Sequence, residues 1–99
     1  MVAIKHPPTV FVVDDDRPMR ESLQALLEAL GLAVRAFGSA ASFHRFYRPQ
    51  MSGCLVLDMR MPVQDGLALY RQLLEEGKRI PVIFMTAHAE VSTAVDAMK

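Results

Sequence analysis

Short apolar runs alternate along this chain with segments whose apolar residues recur at helical spacing. The first run, Thr9 to Val13, is β-branched and aromatic with no polar alternation. Continuous apolar strands of this kind are buried on both faces, as in the parallel sheets of α/β proteins. Three further runs predict three more strands, the first of them weaker: Ala33 to Phe37, Cys54 to Leu57 and Val82 to Met85.

A helical pattern follows each predicted strand. Pro18 suits the first position of a helix, and Gly31 supplies its end. Ser39 is a candidate N-cap for a short helix that Pro49 ends, and Gly77 ends a third helix. A last helix is predicted from the spacing of Val91, Ala94, Val95 and Met98. Strands that alternate with helices pair in parallel through right-handed crossovers, with helices covering both faces of the sheet.

The bulk properties of the chain limit its function classes. Its 99 residues support one domain, residues 1–99. Eleven basic and eleven acidic residues balance, so there is no electrostatic case for binding nucleic acid or an anionic membrane. The lone Cys54 suits a reducing compartment. Because the chain has neither a signal peptide nor about 20 consecutive apolar residues, we expect a cytoplasmic protein.

Carboxylates follow the first and third predicted strands. Asp14, Asp15 and Asp16 come directly after the first strand, Asp58 follows the third, and Thr86 follows the fourth. In open parallel sheets, ligands bind at this carboxyl edge. Like charges placed together cost stability unless a cation lies among them. Oxygen ligands without paired His or Cys favour Mg²⁺, or Mn²⁺, over zinc. By itself, Asp16 is better explained as a solvated residue at the helix start.

Phosphoryl transfer suits such a site, because its catalysis is mostly positioning and charge neutralisation. Asp58 needs no general base to act as a nucleophile, since the reference pKa of an aspartate is about 3.9. Attack on phosphorus would form an acyl phosphate on Asp58. The Thr86 hydroxyl and the Ala87 backbone N–H would then be placed to hydrogen-bond the phosphoryl oxygens.

These residues resemble the receiver domain of two-component response regulators. The likeness runs from about Thr9 to Lys99 and is carried by three stretches: Val12-Val13-Asp14-Asp15-Asp16, Leu57-Asp58-Met59-Arg60-Met61-Pro62 with Asp65-Gly66, and Phe84-Met85-Thr86-Ala87. It implies a flavodoxin-like, doubly wound parallel sheet with strand order 2-1-3-4. It also implies a sensor histidine kinase as the phosphoryl donor. A weaker likeness suggests receivers joined to LuxR-type helix-turn-helix transcription factors.

The resemblance also implies a role for each site residue. Asp58 would be the phosphoacceptor, Asp15 a direct ligand of Mg²⁺, and Asp14 a ligand acting through water. The backbone carbonyl of Arg60 would be a third protein ligand. The Thr86 hydroxyl would turn toward the phosphoryl group and report its presence.

The sequence departs from the receiver pattern after Lys99, because receivers continue with a fifth strand that carries a Lys and a fifth helix. We therefore expect a fragment, or a chain that completes itself through a neighbour. Reduced stability, impaired phosphorylation, and dimerisation or element exchange through the open edge of the fourth strand would follow. One alternative is a receiver-like interaction module that no longer takes phosphate. An aspartate-nucleophile phosphatase is disfavoured, because such enzymes usually carry a second acid two residues after the nucleophile, and Asp58-Met59-Arg60 lacks it. We therefore expect a chain that is not an enzyme and catalyses only its own phosphoryl transfer and hydrolysis.

Several other residues are better explained by structure than by function. Cys54 is predicted to be a small buried hydrophobe. Phe43, Phe46 and Tyr47 are predicted to pack in the core. A further set is predicted to be surface residues without a metal or nucleic-acid role: His6, His44, His88, Arg17, Arg20, Arg45 and Arg48. An alternative for His88, which is expected near the site, is that it tunes hydrolysis.

Overall fold

The structure is a computed structural model that describes residues 8–85. Its elements in chain order are β1 (Thr9–Val13), α1 (Arg17–Ala29), β2 (Ala33–Phe37), α2 (Ala40–Phe46), β3 (Gly53–Asp58), α3 (Gly66–Glu75) and β4 (Val82–Met85). All pairings are parallel, and the strand order is β2-β1-β3-β4. The predicted α/β fold class and strand order are confirmed. The helix predicted over residues 91–98 lies outside the described residues.

The order of the strands decides which face each helix covers. The chain moves from β1 to β2 in one direction, and from β2 through β3 to β4 in the other. Because crossovers between parallel strands are right-handed, α1 lies on one face and α2 and α3 lie on the opposite face. The order therefore reverses between β1 and β3.

The main core lies between the sheet and helices α2 and α3. Its buried members are Phe11, Val13, Ala40, Phe43, Tyr47, Leu55, Leu57, Met61, Leu69 and Leu73. The Phe43 ring stacks on Tyr47 at 5.4 Å and meets the rings of Phe11 and Phe37 edge-on, each at 5.6 Å. The prediction that Phe43, Phe46 and Tyr47 serve packing is confirmed.

At the start of each of the three helices within residues 8–85, a short polar side chain accepts a hydrogen bond from a backbone N–H. The Asp16 carboxylate caps α1 at 3.3 Å, Ser39 caps α2 at 3.1 Å, and Asp65 caps α3 at 2.8 Å. The roles predicted for Asp16 and Ser39 are confirmed. Helix α1 begins at Arg17, one residue earlier than predicted.

The face of the sheet that carries α1 is less completely covered than predicted, since helices were expected to bury both faces. All residues of α1 are at least partly exposed, and Leu26 and Leu30 are 59% and 69% exposed. Burial of both faces holds for the end of β1 but not for β4, where Ile83 is 58% exposed. Cys54 is only partly buried, so its assignment as a buried hydrophobe is wrong. Among the helices of residues 8–85, none has the length and apolar character needed to cross a membrane.

Helices α2 and α3 are joined by a polar contact at their carboxyl ends. The His44 Nε2 atom lies 2.8 Å from Glu76 Oε1, and Lys78 Nζ lies 3.0 Å from the same oxygen. Hydrogen bonds from His44, and then from Lys78, lower the pKa of Glu76 to about 2. His44 therefore contributes to helix pairing instead of lying free on the surface.

Candidate phosphoacceptor and metal site

The ends of β1 and β3 form one edge of the sheet at the point where the strand order reverses. Val13 of β1 pairs with Leu57 of β3, so the residues that follow them in the chain, Asp14 and Asp58, lie side by side where these two strands end. Strand β3 is longer than predicted and includes Asp58, which pairs with Met85 of β4. Crevices at such reversal points are the usual ligand sites of open parallel sheets.

Three carboxylates converge at this edge. One carboxylate oxygen from each of Asp14, Asp15 and Asp58 lies within 4.8 Å of the other two. Asp14 is buried, with 3% of its surface exposed, while Asp58 is partly buried and Asp15 is exposed. The structure therefore brings together the three carboxylates that the sequence predicts to meet.

Backbone amides orient the two carboxylates at the strand ends. The N–H of Asp16 donates to Asp14 Oδ1 at 2.9 Å, and the N–H of Arg60 donates to Asp58 Oδ1 at 3.0 Å. In both cases the donor lies two residues after the acid, which is the hydrogen-bond pattern of an Asx-turn. Each turn directs the chain away from the strand while it restrains the carboxylate.

The environment of Asp58 disfavours its negative charge. The pKa of Asp58 is raised from 3.8 to about 6, mainly by burial. A hydrogen bond with Asp14 and the charges of Asp14 and Asp15 raise the pKa further, whereas the hydrogen bond from the Arg60 N–H lowers it. A divalent cation would reverse the repulsion, since a bound ion becomes the largest local charge. Three converging carboxylate oxygens are ligands of the kind that hard cations such as Mg²⁺ prefer. The residues present therefore fit such an ion.

Comparison with known proteins assigns the family. A sequence model described as the response regulator receiver domain matches residues 10–99. The chain belongs to this family. Receiver domains use Mg²⁺ at an acidic pocket, and the three carboxylates occupy the corresponding edge of this receiver domain.

Relatives of the receiver domain include transcriptional regulators. It is 49% identical over 90 residues to the transcriptional regulatory protein FixJ of Azorhizobium caulinodans, covering 91% of this chain and 43% of the relative. It is 41% identical over 90 residues to the response regulator protein TodT of Pseudomonas putida, covering 91% and 40%. The chain thus spans about two fifths of the length of these relatives. The LuxR-type fusion stays a prediction.

Solved structures agree with the fold of the receiver domain. The response regulator StyR superimposes with a TM-score of 0.85 at 48% identity, over 92% of this chain and 46% of that one. The structure named FixJ-N gives a TM-score of 0.82 at 41% identity, over 94% and 74%.

The start of α3 is packed directly against the end of β3. A Cβ atom added at Gly66 would lie 2.1 Å from the carbonyl oxygen of Asp58, and the Gly66 N–H donates to Met59 at 3.2 Å. Only a residue without a side chain permits this approach. Gly66 is part of the family pattern in the sequence, but the steric reason for a glycine at this position is visible only in the fold.

The loop of the receiver domain between β3 and α3 contains a tight turn that the sequence did not indicate. Val63 has a φ of 69°, and the N–H of Gln64 donates to the Pro62 carbonyl at 2.8 Å. This closes a three-residue turn about a β-branched residue in a left-handed conformation, which is sterically unfavourable. The sequence predicted a loop here but not its strain.

Two arginines that the sequence assigned to the solvated surface have structural partners. Arg20 is half-buried, and its Nη1 donates to the backbone carbonyl of Asp14 at 2.7 Å. Arg48 donates to three carbonyls at the end of α2, including that of Arg45 at 2.9 Å. The assignment of Arg20 as a solvated residue is wrong, whereas Arg48 is exposed as predicted and its side chain also caps the end of α2.

Of the remaining predicted site residues, Arg60 lies within the described part of the chain, and Thr86 and Ala87 do not. Arg60 is exposed, and its backbone N–H contacts Asp58; the role predicted for its carbonyl stays a prediction. Thr86 and Ala87 lie outside the described residues, so their contacts with a phosphoryl group also stay predictions.

Proposed function

We propose that this receiver domain accepts a phosphoryl group on Asp58 from a phosphohistidine of a sensor histidine kinase. The observation that carries the proposal is the convergence of three carboxylates at the strand-order reversal of a receiver fold. Family membership supports the reaction class, since receiver domains of response regulators are phosphorylated by histidine kinases.

The chain's own residues would hold and neutralise the reacting groups. Mg²⁺, or Mn²⁺ in its place, would be held by Asp14, Asp15, Asp58 and the Arg60 carbonyl. When bound, it would neutralise negative charge on the phosphoryl oxygens. The Arg60 N–H restrains Asp58 Oδ1, and Asp14 adds a buried carboxylate to the same pocket.

In the proposed reaction, a carboxylate oxygen of Asp58 attacks phosphorus in line with the donor nitrogen. The P–N bond of the phosphohistidine breaks, and its electron pair stays on the imidazole nitrogen, which takes up a proton. The new P–O bond makes an acyl phosphate on Asp58. Thr86 and Ala87 would donate hydrogen bonds to the phosphoryl oxygens. The chain would catalyse only this transfer and its hydrolysis.

Output would be exerted through parts that lie outside this sequence. The relatives named as transcriptional regulators support control of transcription through a separate effector domain. The balanced charge of the chain, with eleven basic and eleven acidic residues, supports a receiver that does not itself contact nucleic acid. We also assign the protein to the cytoplasm, where response regulators typically act.

Incubation with acetyl phosphate and Mg²⁺, read by intact mass, tests the proposal. The parent chain is expected to gain one phosphate, and Asp58→Asn or chelation of the metal is expected to abolish the adduct. Asp16→Asn is the matched control, because asparagine also caps helices well and Asp16 caps α1. An adduct that persists in Asp58→Asn would refute the assignment of the phosphoacceptor. No adduct on the parent, even when it is extended through a fifth strand, would favour the interaction module.

A further inference from the structure

Arg20 links helix α1 to the end of strand β1. It lies in the first turn of α1, where its backbone N–H donates to the Asp16 carbonyl at 2.9 Å. Its side chain reaches back along the helix, and Nη1 donates to the Asp14 carbonyl at 2.7 Å. This is a short hydrogen bond from a charged donor, and such bonds are roughly twice as strong as neutral ones.

The Arg20 bond completes the restraint of Asp14. The Asp14 N–H donates to the Phe37 carbonyl at 3.1 Å, and Oδ1 accepts from the Asp16 N–H at 2.9 Å. The carbonyl held by Arg20 belongs to the peptide that joins Asp14 to Asp15. Because a peptide unit is planar, the direction of this carbonyl determines where Asp15 begins. One guanidinium therefore restrains the peptide between two of the three clustered carboxylates.

Gly38, in the loop between β2 and α2, leaves room for this guanidinium. A Cβ atom at Gly38 would lie 3.3 Å from Arg20 Nη1 and 3.6 Å from Cζ. Three segments thus meet at the Arg20 head group: the end of β1, the first turn of α1, and the loop before α2.

We propose that Arg20 is a positioning residue of the metal site, acting through the Asp14 peptide on the carboxylates of Asp14 and Asp15. The inference rests on the proposed function, because it assumes that these carboxylates bind Mg²⁺. Arg20 carries no ligand atom. Its role is to keep two ligands in place.

Charge and position predict opposite results when Arg20 is removed. A guanidinium is a cation beside a cation site, so by charge alone its loss would strengthen Mg²⁺ binding. Loss of positioning would weaken binding, since groups that orient metal ligands typically contribute about 10- to 100-fold to affinity. We expect Arg20→Met to weaken Mg²⁺ binding about tenfold.

The test is a titration of the 99-residue chain with Mg²⁺, followed by the amide chemical shifts of Asp14, Asp15 and Asp16. Arg17→Met is the matched control, because it removes the same charge from the same helix at a side chain that is 79% exposed. It should leave the affinity unchanged or slightly higher. Arg20→Lys keeps the charge but not the planar fork, so an intermediate affinity is expected.

Gly38→Ala provides a second perturbation that leaves the charge of the site unaltered. The added methyl would lie 3.3 Å from Nη1, so the guanidinium would have to shift by a few tenths of an ångström at the atom that bonds the Asp14 carbonyl, and Mg²⁺ binding should weaken. Thermal unfolding in EDTA identifies any variant that does not fold. If Arg20→Met is unfolded, Gly38→Ala decides the question, and parental affinity in that variant would overturn the inference.

The outcomes separate this inference from the proposed function. Parental or tighter Mg²⁺ binding by folded Arg20→Met overturns the positioning role and leaves phosphorylation of Asp58 standing. Absence of Mg²⁺ binding by the parent overturns both. Weaker binding in Arg20→Met and Gly38→Ala, with Arg17→Met unaffected, supports the role of Arg20.

Discussion

Asp58 is costly to the fold, and in the proposed function it is also necessary to the reaction. Burial and two neighbouring acids raise its pKa to about 6, although the Arg60 N–H partly compensates. The same surroundings create the negative potential that a divalent cation needs. The electrostatic cost is therefore present in the metal-free protein and is removed when a cation binds.

The raised pKa of Asp58 predicts an unusual dependence of stability on pH. A folded-state pKa of about 6, above the ordinary 3.8, means that the folded protein holds this proton more tightly than the unfolded chain. The contribution to stability is fully present below pH 3.8 and is lost as pH rises through about 6. Removing the charge by Asp58→Asn should therefore raise the free energy of unfolding at pH 7 in EDTA, by about 1 kcal/mol after allowance for solvent screening.

Urea unfolding of parent and Asp58→Asn at pH 4 and pH 7, both in EDTA, measures this effect. The difference between the two proteins should be small at pH 4 and favour the variant at pH 7. With saturating Mg²⁺ the order should reverse, since only the parent keeps all three carboxylates. An equal difference at both pH values would contradict the assigned pKa.

Val63 carries backbone strain without a compensating contact. Its φ is 69° and its side chain is fully exposed. A left-handed conformation costs an L-residue roughly 1–2 kcal/mol, and glycine avoids most of that cost but gains entropy when unfolded. Val63→Gly should stabilise the chain by about 1 kcal/mol, measured by chemical denaturation. Val63→Ala should show a smaller gain; a glycine variant no more stable than the parent would argue against strain.

At the scale of elements, the close approach of α3 to β3 connects the fold to the site. The helix begins at Gly66 against the carbonyl of Asp58, and Asp65 caps it. The loop that follows Asp58 is thereby held at both ends. A change in this packing should reach Asp58 through its own backbone.

Gly66→Ala should destabilise the fold and disturb the site. The added methyl would overlap the Asp58 carbonyl oxygen, and overpacking of this kind costs typically about 1–3 kcal/mol. Chemical denaturation measures the loss, and acetyl phosphate labelling measures the loss of reactivity in the fraction that stays folded. Gly31→Ala is the matched control: its Cβ would meet no atom within 4 Å, so only backbone strain is added. Equal costs for both variants would contradict the steric account.

For the molecule as a whole, the two faces of the sheet differ in how completely they are covered. Helices α2 and α3 bury an aromatic and aliphatic core, while α1 leaves large apolar side chains exposed on its own face. The exposed side chains include Leu26 of α1, Leu30 at its C-cap and Leu32 before β2. Exposed apolar patches of this kind favour association.

We therefore expect the 99-residue chain to self-associate and to melt at a low temperature. Light scattering during size-exclusion chromatography should show a dimer whose fraction rises with concentration. The double variant Leu26→Glu with Leu30→Glu should reduce the dimer fraction if the dimer forms through the α1 face. Charged substitutions on β4 should reduce the dimer fraction if the dimer forms through the edge of that strand. Glu28→Gln, an exposed change on the same helix, is the control. A compact monomer with a sharp melt at high temperature would refute this expectation.

Much of this architecture was predictable because its causes are local. Apolar continuity predicted all four described strands, and β1, β2 and β4 have the predicted bounds. Asp16 and Ser39 were predictable as helix-start residues, since a short polar side chain satisfies backbone N–H groups next to it. Convergence of the acids followed from parallel pairing, which brings strand ends to one edge. The strand order itself came from resemblance to a family.

Other features depended on which segments lie side by side, and no pattern along the chain contains that information. The exposure of α1, the bond from Arg20 to Asp14, and the contact of His44 with Glu76 arise between elements distant in sequence or through long side chains. The sequence by itself determined the strands, the helix starts and the acids at one edge, because these follow from periodicity and neighbouring groups. Only the tertiary structure decided the charge balance at Asp58 and what holds Asp14, because both depend on burial and on contacts across the fold.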